Sequence, residues 1–324
     1  MFSIKSFVKS WDKFFFEEKP TEGLALFRIF WMGMIFFTFL CDMANINDFF
    51  GPHAILSLQT VKGQFTNFHL NLFHRFDASY EITIAFAVIY GLAILSSILG
   101  FHTRTSLVVA MAMMVSFHQR NIWLLCSSEV LMRIIMVYLI FSPCGNSLSI
   151  DSLRAKAGKI LLPRTGSIWT LRLIQIQISV LYIWTVWHKL KGDDWIDGSA
   201  LYYASRLENM TNLPLPYLMD SILFMKLSTW GTLVLELALG ILIWFKEFRK
   251  PLILFGVIFH LGIEYLMSIP FFEINLIFLL MNFYTPEEHK AFVERMSLSY
   301  ERFARQRRIQ AIFDKMMSPF RPTA

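Results

Sequence analysis

Six ionisable side chains, Arg28, Arg133, Glu236, His260, Glu264 and Glu273, stand inside strongly apolar stretches of this sequence, and Arg172 and Lys189 flank another. At the centre of a membrane helix such a group costs about 2.5–3.5 kcal/mol, so each one needs a partner or a task. The most informative set is Arg172, Gln175, Ser179, Tyr182 and Lys189, whose steps of 3, 4, 3 and 7 lie on one helical face. Two arrangements fit. The helix packs with its polar face satisfied by neighbours and Lys189 reaching for the interface, or the face borders a polar cavity floored by Tyr182 and guarded by Lys189. His260 and Glu264, four apart, can hydrogen-bond on one face, and Arg133 with Glu129 forms a second pair of that spacing. A metal at His260 and Glu264 needs a third ligand that the sequence does not identify. Asp193, Asp194 and Asp197 follow a basic pair and read as solvated or salt-bridged. No metal is expected.

The elements that must position these groups are apolar helices. Of 324 residues, 55% are hydrophobic and 17% charged, with mean hydropathy +0.49 and 33 phenylalanines. Soluble domains are about a quarter charged, so the deficit points to lipid as the solvent. Runs near 23–41, 82–100, 105–117, 128–142, 170–188, 229–245, 251–267 and 271–283 suit a hydrocarbon core about 30 Å thick, although the third, fourth and eighth are short. The expected fold is an all-α polytopic transmembrane bundle of about eight spans. With the N-terminus inside, inward segments carry nearly three times the lysine and arginine of outward ones, so both termini are expected to be cytoplasmic, with 42–81 and 188–228 outside. Gly100 to Arg104 makes a tight hairpin between the second and third spans, Pro251 opens the seventh, and Pro270 precedes the eighth.

Residues 1–19 carry Lys5, Lys9, Lys13 and Lys19 with Phe7, Trp11 and Phe14 at helical spacing, which reads as an interfacial amphipathic helix rather than a cleaved leader. The transmembrane domain occupies 20–285. The tail, 286–324, mixes Arg302, Arg305, Arg307 and Arg308 with Phe303, Ile309, Ile312 and Phe313 as a basic amphipathic cytoplasmic helix. The net charge of +6 is therefore read as topology and attraction to membrane lipid, not nucleic-acid binding. Cys41, Cys126 and Cys144 show no CxxC pairing, so neither a disulfide framework nor a zinc site follows. Asn209-Met-Thr211 fits a glycosylation sequon. Nucleotide, metalloprotease and hydrolase motifs are missing, and no related halves suggest a transporter.

Val186-Trp187-His188-Lys189-Leu190 followed by Asp194-Trp195-Ile196-Asp197-Gly198 resembles a segment of the vitamin K-dependent γ-glutamyl carboxylases and of the wider HTTM membrane domain. Pro20 to Arg28, Asn146 to Asp151, and Phe259-His260 with Ser268-Ile269 and Phe272 are similar to other family stretches in the same order. The resemblance runs from about Pro20 to Pro286. It implies an enzyme that couples oxidation of a reduced quinone by O2, giving an epoxide, to carboxylation of glutamate by CO2. It also implies Lys189 as the base that deprotonates the hydroquinone, His260 as a catalytic neighbour, and Tyr182 near both. Trp187, His188, Asp194, Trp195 and Glu264 complete the implied substrate-binding set, with Arg28, Arg133 and Glu129 as structural polar groups. Trp184, Trp187 and Trp195 are expected to wall the amine, and Lys191 with protonated His188 to favour its neutral form. The implied partners are membrane lipid, a lipophilic quinol arriving from the bilayer and, for carboxylation, a peptide. The protein is expected in a membrane (inner or plasma membrane in a bacterium) with its active side outward. Two departures favour quinol epoxidation over carboxylation. The carboxylases have a large extracytoplasmic portion after the spans, whereas only the short tail follows here. Their histidine near the start of the fourth span aligns with Cys126-Ser127-Ser128-Glu129. The alternative is a non-catalytic membrane protein that binds or passes a hydrophobic small molecule, or serves as a partner scaffold.

Overall fold

A computed structural model describes residues 4–64, 71–76, 78–158, 162–207, 211–212, 216–267 and 271–317, with the side chains of 64, 216 and 304–317 excepted. The sequon Asn209-Met-Thr211, Pro270, and Ser268-Ile269 lie wholly or partly outside these residues. Eight helices coincide with the eight apolar runs: α2 (Glu22–Met43), α3 (Tyr80–Leu99), α4 (Thr103–Arg120), α5 (Ser127–Phe141), α6 (Trp169–Lys189), α7 (Ile222–Ile241), α8 (Lys246–Leu266) and α9 (Phe272–Leu280). They are preceded by α1 (Ile4–Phe16) and followed by α10 (Pro286–Met317). By length and composition, three are apolar enough to cross a membrane: α2, α3, and α7 with its 3-10 extension to Trp244. Their mean hydropathies are 2.0, 2.3 and 1.6. The described residues are all-α apart from an isolated bridge between Thr211 and Met267 and one short ribbon, in which β1 (Glu18–Pro20) pairs antiparallel with β2 (Thr165–Ser167). That ribbon ties the entry of α2 to the entry of α6.

Local chemistry sets the ends. Ser79 and Ser149 accept hydrogen bonds from the N–H groups of Ile82 and Ser152, capping α3 and the short helix Ile150–Ala157. Thr285, Pro286 and Glu288 form a capping box at the start of α10, where Thr285 N donates to Glu288 Oε2 (2.9 Å) and Glu288 N to Thr285 Oγ1 (3.2 Å). Gly100 ends α3 with φ +67°, as a C-terminal glycine does. Asp151 covers the start of α4, taking the N–H groups of His102 (2.9 Å) and Thr103 (2.8 Å) and the Thr103 hydroxyl (2.8 Å). Partial burial opposes ionisation of that carboxyl, but the Thr103 and His102 donors outweigh it and hold it below the usual carboxylate range.

Two boundaries differ from the periodicity. Ser221 caps α7, which starts well before 229 and takes Lys226 into the helix. Pro251 sits more than a turn inside α8, not at its opening, because the helix already begins at Lys246. The core is continuous across α2–α9, with Trp31, Ile94, Leu107, Ile135, Ile174 and Leu279 fully enclosed. At the base of α6, Arg172 donates to the Phe14 carbonyl (3.1 Å) and stacks on its ring, anchoring the end of α1.

Candidate functional site

The polar face of α6 divides at Tyr182. Toward the cytoplasmic end of the expected topology, its members are occupied by packing. Arg172 donates to Gln175, Gln175 to the Asn282 carbonyl (2.8 Å), and the Trp244 indole to Ser179 (2.7 Å). From Tyr182 onward the face borders a cavity of about 490 Å³ between α6, α7, α8 and α9. The packed arrangement open from the sequence therefore describes the first half of the helix; along the second the face does border a cavity, but one whose walls are mainly apolar rather than polar.

The far end of the cavity holds Lys189, whose Nζ donates to Glu236 Oε1 at 2.5 Å, with 23% and 9% of the two side chains exposed. Glu236 reaches the amine because α6 and α7 cross closely one turn below it, at Gly240. A Cβ there would lie 2.9 Å from Ile183. Glu236 Oε2 is buried and has no partner among the described residues. Trp195 covers the amine, with Nζ 4.7 Å from its ring centre. The segment carrying Trp195 is pinned to α7, since Trp230 donates to the Ile196 carbonyl (3.1 Å) and the Leu201 N–H to Thr229 (3.2 Å). The helical turn Ala200–Ala204 then closes over the cavity.

On the wall, the Tyr182 hydroxyl meets His260 Nε2 at 2.7 Å, and His260 Nδ1 bonds Glu273 Oε2. Tyr182, His260 and Glu273 are almost wholly buried. A carboxylate on one imidazole nitrogen fixes the ring and directs the other nitrogen at the phenol. Glu273 lies in the first turn of α9, where the helix N-terminus favours negative charge. Phe271, just before α9, has left-handed backbone (φ 65°), and its N–H donates to Glu264 Oε1 (3.3 Å). Glu264 thus holds the turn that presents Glu273. The remaining lining, including Leu181, Met225, Phe259, Ile263 and Leu276, is mainly apolar, with hydroxyls from Thr185, Ser228 and Thr232 among it. The arrangement offers one amine, two carboxylates, one imidazole and one hydrogen-bonded phenol to a greasy molecule of modest size.

Of the residues singled out from sequence, Lys189, Tyr182, Trp195 and His260 meet at the cavity, while Trp187, His188, Asp194 and Glu264 do not line it. Trp184 and Trp187 are 61% and 58% exposed on the opposite face of α6, with His188 against Trp184 and Lys191 over Trp187. They do not wall the amine. Asp194 and Asp197 turn to Ser199, at 3.4 Å from its hydroxyl and 2.8 Å from its N–H, and the Ser199 contacts hold the Asp197 carboxyl low. His260 pairs with Glu273, not with Glu264 four residues on. Arg133 donates to His118 Nδ1 (3.1 Å) instead of pairing with Glu129, which caps α5 through the Cys126 N–H (2.9 Å). Arg28 donates to the carbonyls of Cys144 (2.6 Å) and Leu148 (2.7 Å). Among the described residues, no three His, Cys, Asp or Glu side chains gather as a metal site would require. The acids at the cavity, Glu236 and Glu273, were visible as charges in apolar runs, but no spacing rule linked them to Lys189 or His260.

No curated protein and no solved structure matches the chain significantly. The HTTM domain family matches residues 15–287, the stretch that contains the ribbon, all eight apolar helices and the cavity. The protein belongs to the HTTM domain family and is a helical membrane protein.

Proposed function

We propose that the protein is a quinol-dependent oxygenase, an epoxidase of the γ-carboxylase type, in which Lys189 takes the proton of a lipophilic hydroquinone so that O2 can attack the ring. The observation that carries this reading is the position of Lys189. It ends α6 at the rim of a mainly apolar cavity whose wall also carries a phenol and a carboxylate-held imidazole. The net reaction balances without a further reactant, because hydroquinone and O2 give quinone epoxide and water. His260, through Tyr182, is placed to return a proton to the departing oxygen. CO2 and a peptide glutamate enter only if carboxylation accompanies epoxidation.

The same reading has eight spans, both termini in the cytoplasm and the Lys189 end of the cavity outward. It is supported by the lysine and arginine distribution and by the eight helices on the eight apolar runs. The test is to incubate detergent-purified protein with a reduced naphthoquinone under air and assay epoxide. Lys189→Ala lowers the product by orders of magnitude, and Lys62→Ala, an exposed change on the short helix Leu58–Gln64, leaves it. Absence of epoxide from the wild type across several quinols overturns the reading.

One observation favours a second reading, that of a non-catalytic protein binding or passing a hydrophobic small molecule. Lys189 already has a carboxylate partner, and an amine neutralised in that way recognises a ligand without accepting its proton. Tight retention of a lipid with no turnover would support this reading.

A further inference from the structure

A lysine salt-bridged to a carboxylate is protonated and cannot act as a base, so the ion pair and the proposed chemistry conflict unless the proton has somewhere to go. We propose that Glu236 is that destination: when an apolar ligand fills the cavity, the proton on Lys189 Nζ moves to Glu236, leaving a free amine beside a carboxylic acid. The inference rests on the reading of this cavity as the place where Lys189 acts as a base, and it supplies the step that reading lacks.

Three features of the geometry carry it. The donor and acceptor are already in direct contact at 2.5 Å, so transfer needs no rearrangement. Glu236 is the more enclosed of the two, with a second oxygen that no described donor stabilises. A carboxylate short of donors is poorly held as an anion once water leaves. The cavity walls are overwhelmingly apolar, so a ligand that expels water removes the solvent that favours two separated charges and leaves the neutral pair less burdened. No charge is created or lost in the cavity by the transfer. The freed Nζ lone pair can then take the hydroxyl proton of a ligand, giving an oxyanion beside an ammonium, again without net change. The other ionisable groups facing this end are Tyr182 on α6, His260 on α8 and Glu273 on α9. Glu273 is committed to His260, and His260 to Tyr182, so neither is a direct partner of the amine.

Infrared difference spectroscopy tests this on the full chain in detergent, with 1-methoxynaphthalene as the probe. This ether fills apolar space but has no acidic proton of its own. Its binding is established first by equilibrium dialysis. Filling is expected to produce one new carboxylic-acid C=O band, which shifts in protein labelled with ¹³C-glutamate. The band is absent in Glu236→Gln and retained in Glu273→Gln. Lys189→Met should show it with no probe present, because the acid then lacks its counter-ion. That variant assigns the band even if Glu236→Gln fails to fold. Carboxylate bands unchanged by a bound probe overturn the inference, as does a probe that fails to bind. The band together with no epoxidation would leave the proton shift standing and remove the oxygenase reading. Epoxidation without the band would do the reverse.

Discussion

Arg28 and Lys189 are both cations set into apolar helices, one in the α2–α5 half of the bundle and one in the α6–α9 half. Arg28 is fully buried and gives both Nη groups to main-chain carbonyls of the segment after α5. Arg120, at the other end of the same half, does the same with the carbonyls of Leu56 and Gly51, each at 2.7 Å. Lys189 gives its nitrogen to one carboxylate beside a cavity. The choice of cation follows the task. A guanidinium stays protonated and presents a fixed fork, which suits a permanent staple between helix and loop. An ammonium is a single point that can release its proton when its surroundings change, which suits a reactive site. One half of the molecule uses buried charge to hold loops, and the other holds it next to empty space.

Loss of Lys189 should break this contrast most strongly. Lys189→Ala is expected to lower epoxide formation by about 10²- to 10⁴-fold, the usual contribution of a positioned base. The thermal midpoint in detergent should change little, since Glu236 can become neutral by taking a proton. Arg28→Ala should act in the opposite sense. It strands two carbonyls and is expected to cost about 3–5 kcal/mol of stability, read as a lower melting temperature, with turnover per folded molecule unchanged. If Arg28→Ala melts normally, the staple contributes nothing and the contrast between the halves fails. Gly100→Ala sharpens the same point with a smaller effect. Its φ of +67° disfavours a Cβ, and one placed there would lie 2.4 Å from Ser149 Cβ and 2.9 Å from Arg28 Nη1. A loss of about 2 kcal/mol is expected, again by thermal melting and again without effect on the cavity.

The sequence placed the eight helices and the polar face of α6 because both are periodic and local. Its misplacements are equally physical. At about 100° per residue, Trp184 and Trp187 fall nearly opposite Tyr182 and Lys189, so the helical wheel already turned them to lipid. Reading them as a wall followed the run of tryptophans, not the geometry. His260 with Glu264 and Arg133 with Glu129 were paired by the i,i+4 rule, which ranks neighbours on one helix and is blind to neighbours on another. His260 instead took Glu273 from α9, and Lys189 took Glu236 from α7. Those partners depend on how helices cross, at Gly240 for α6 and α7, and crossing is set by packing that no single-helix pattern encodes.

The smallest effect lies at the cytoplasmic rim of the expected topology, where Glu288 bonds Lys250 at 2.8 Å and closes the capping box of α10. Lys250 first, then the Thr285 N–H, hold the Glu288 carboxyl down to about 2. A carboxylate depressed in the fold stabilises it at all pH above its unfolded value, about 4.3, and loses that contribution as the pH falls toward the folded value. Glu288→Gln keeps the capping box, which accepts Gln, and removes only the charge. With roughly a third of the Glu288 side chain exposed and Lys250 more exposed still, solvent screening reduces the expected loss to about 1 kcal/mol. The melting temperatures of wild type and Glu288→Gln should therefore differ by a constant amount from pH 8 to pH 5 and converge as the pH approaches 2. A gap that ignores pH would mean the Lys250 pair does not stabilise the fold, leaving α10 attached by its cap and its packing on α2.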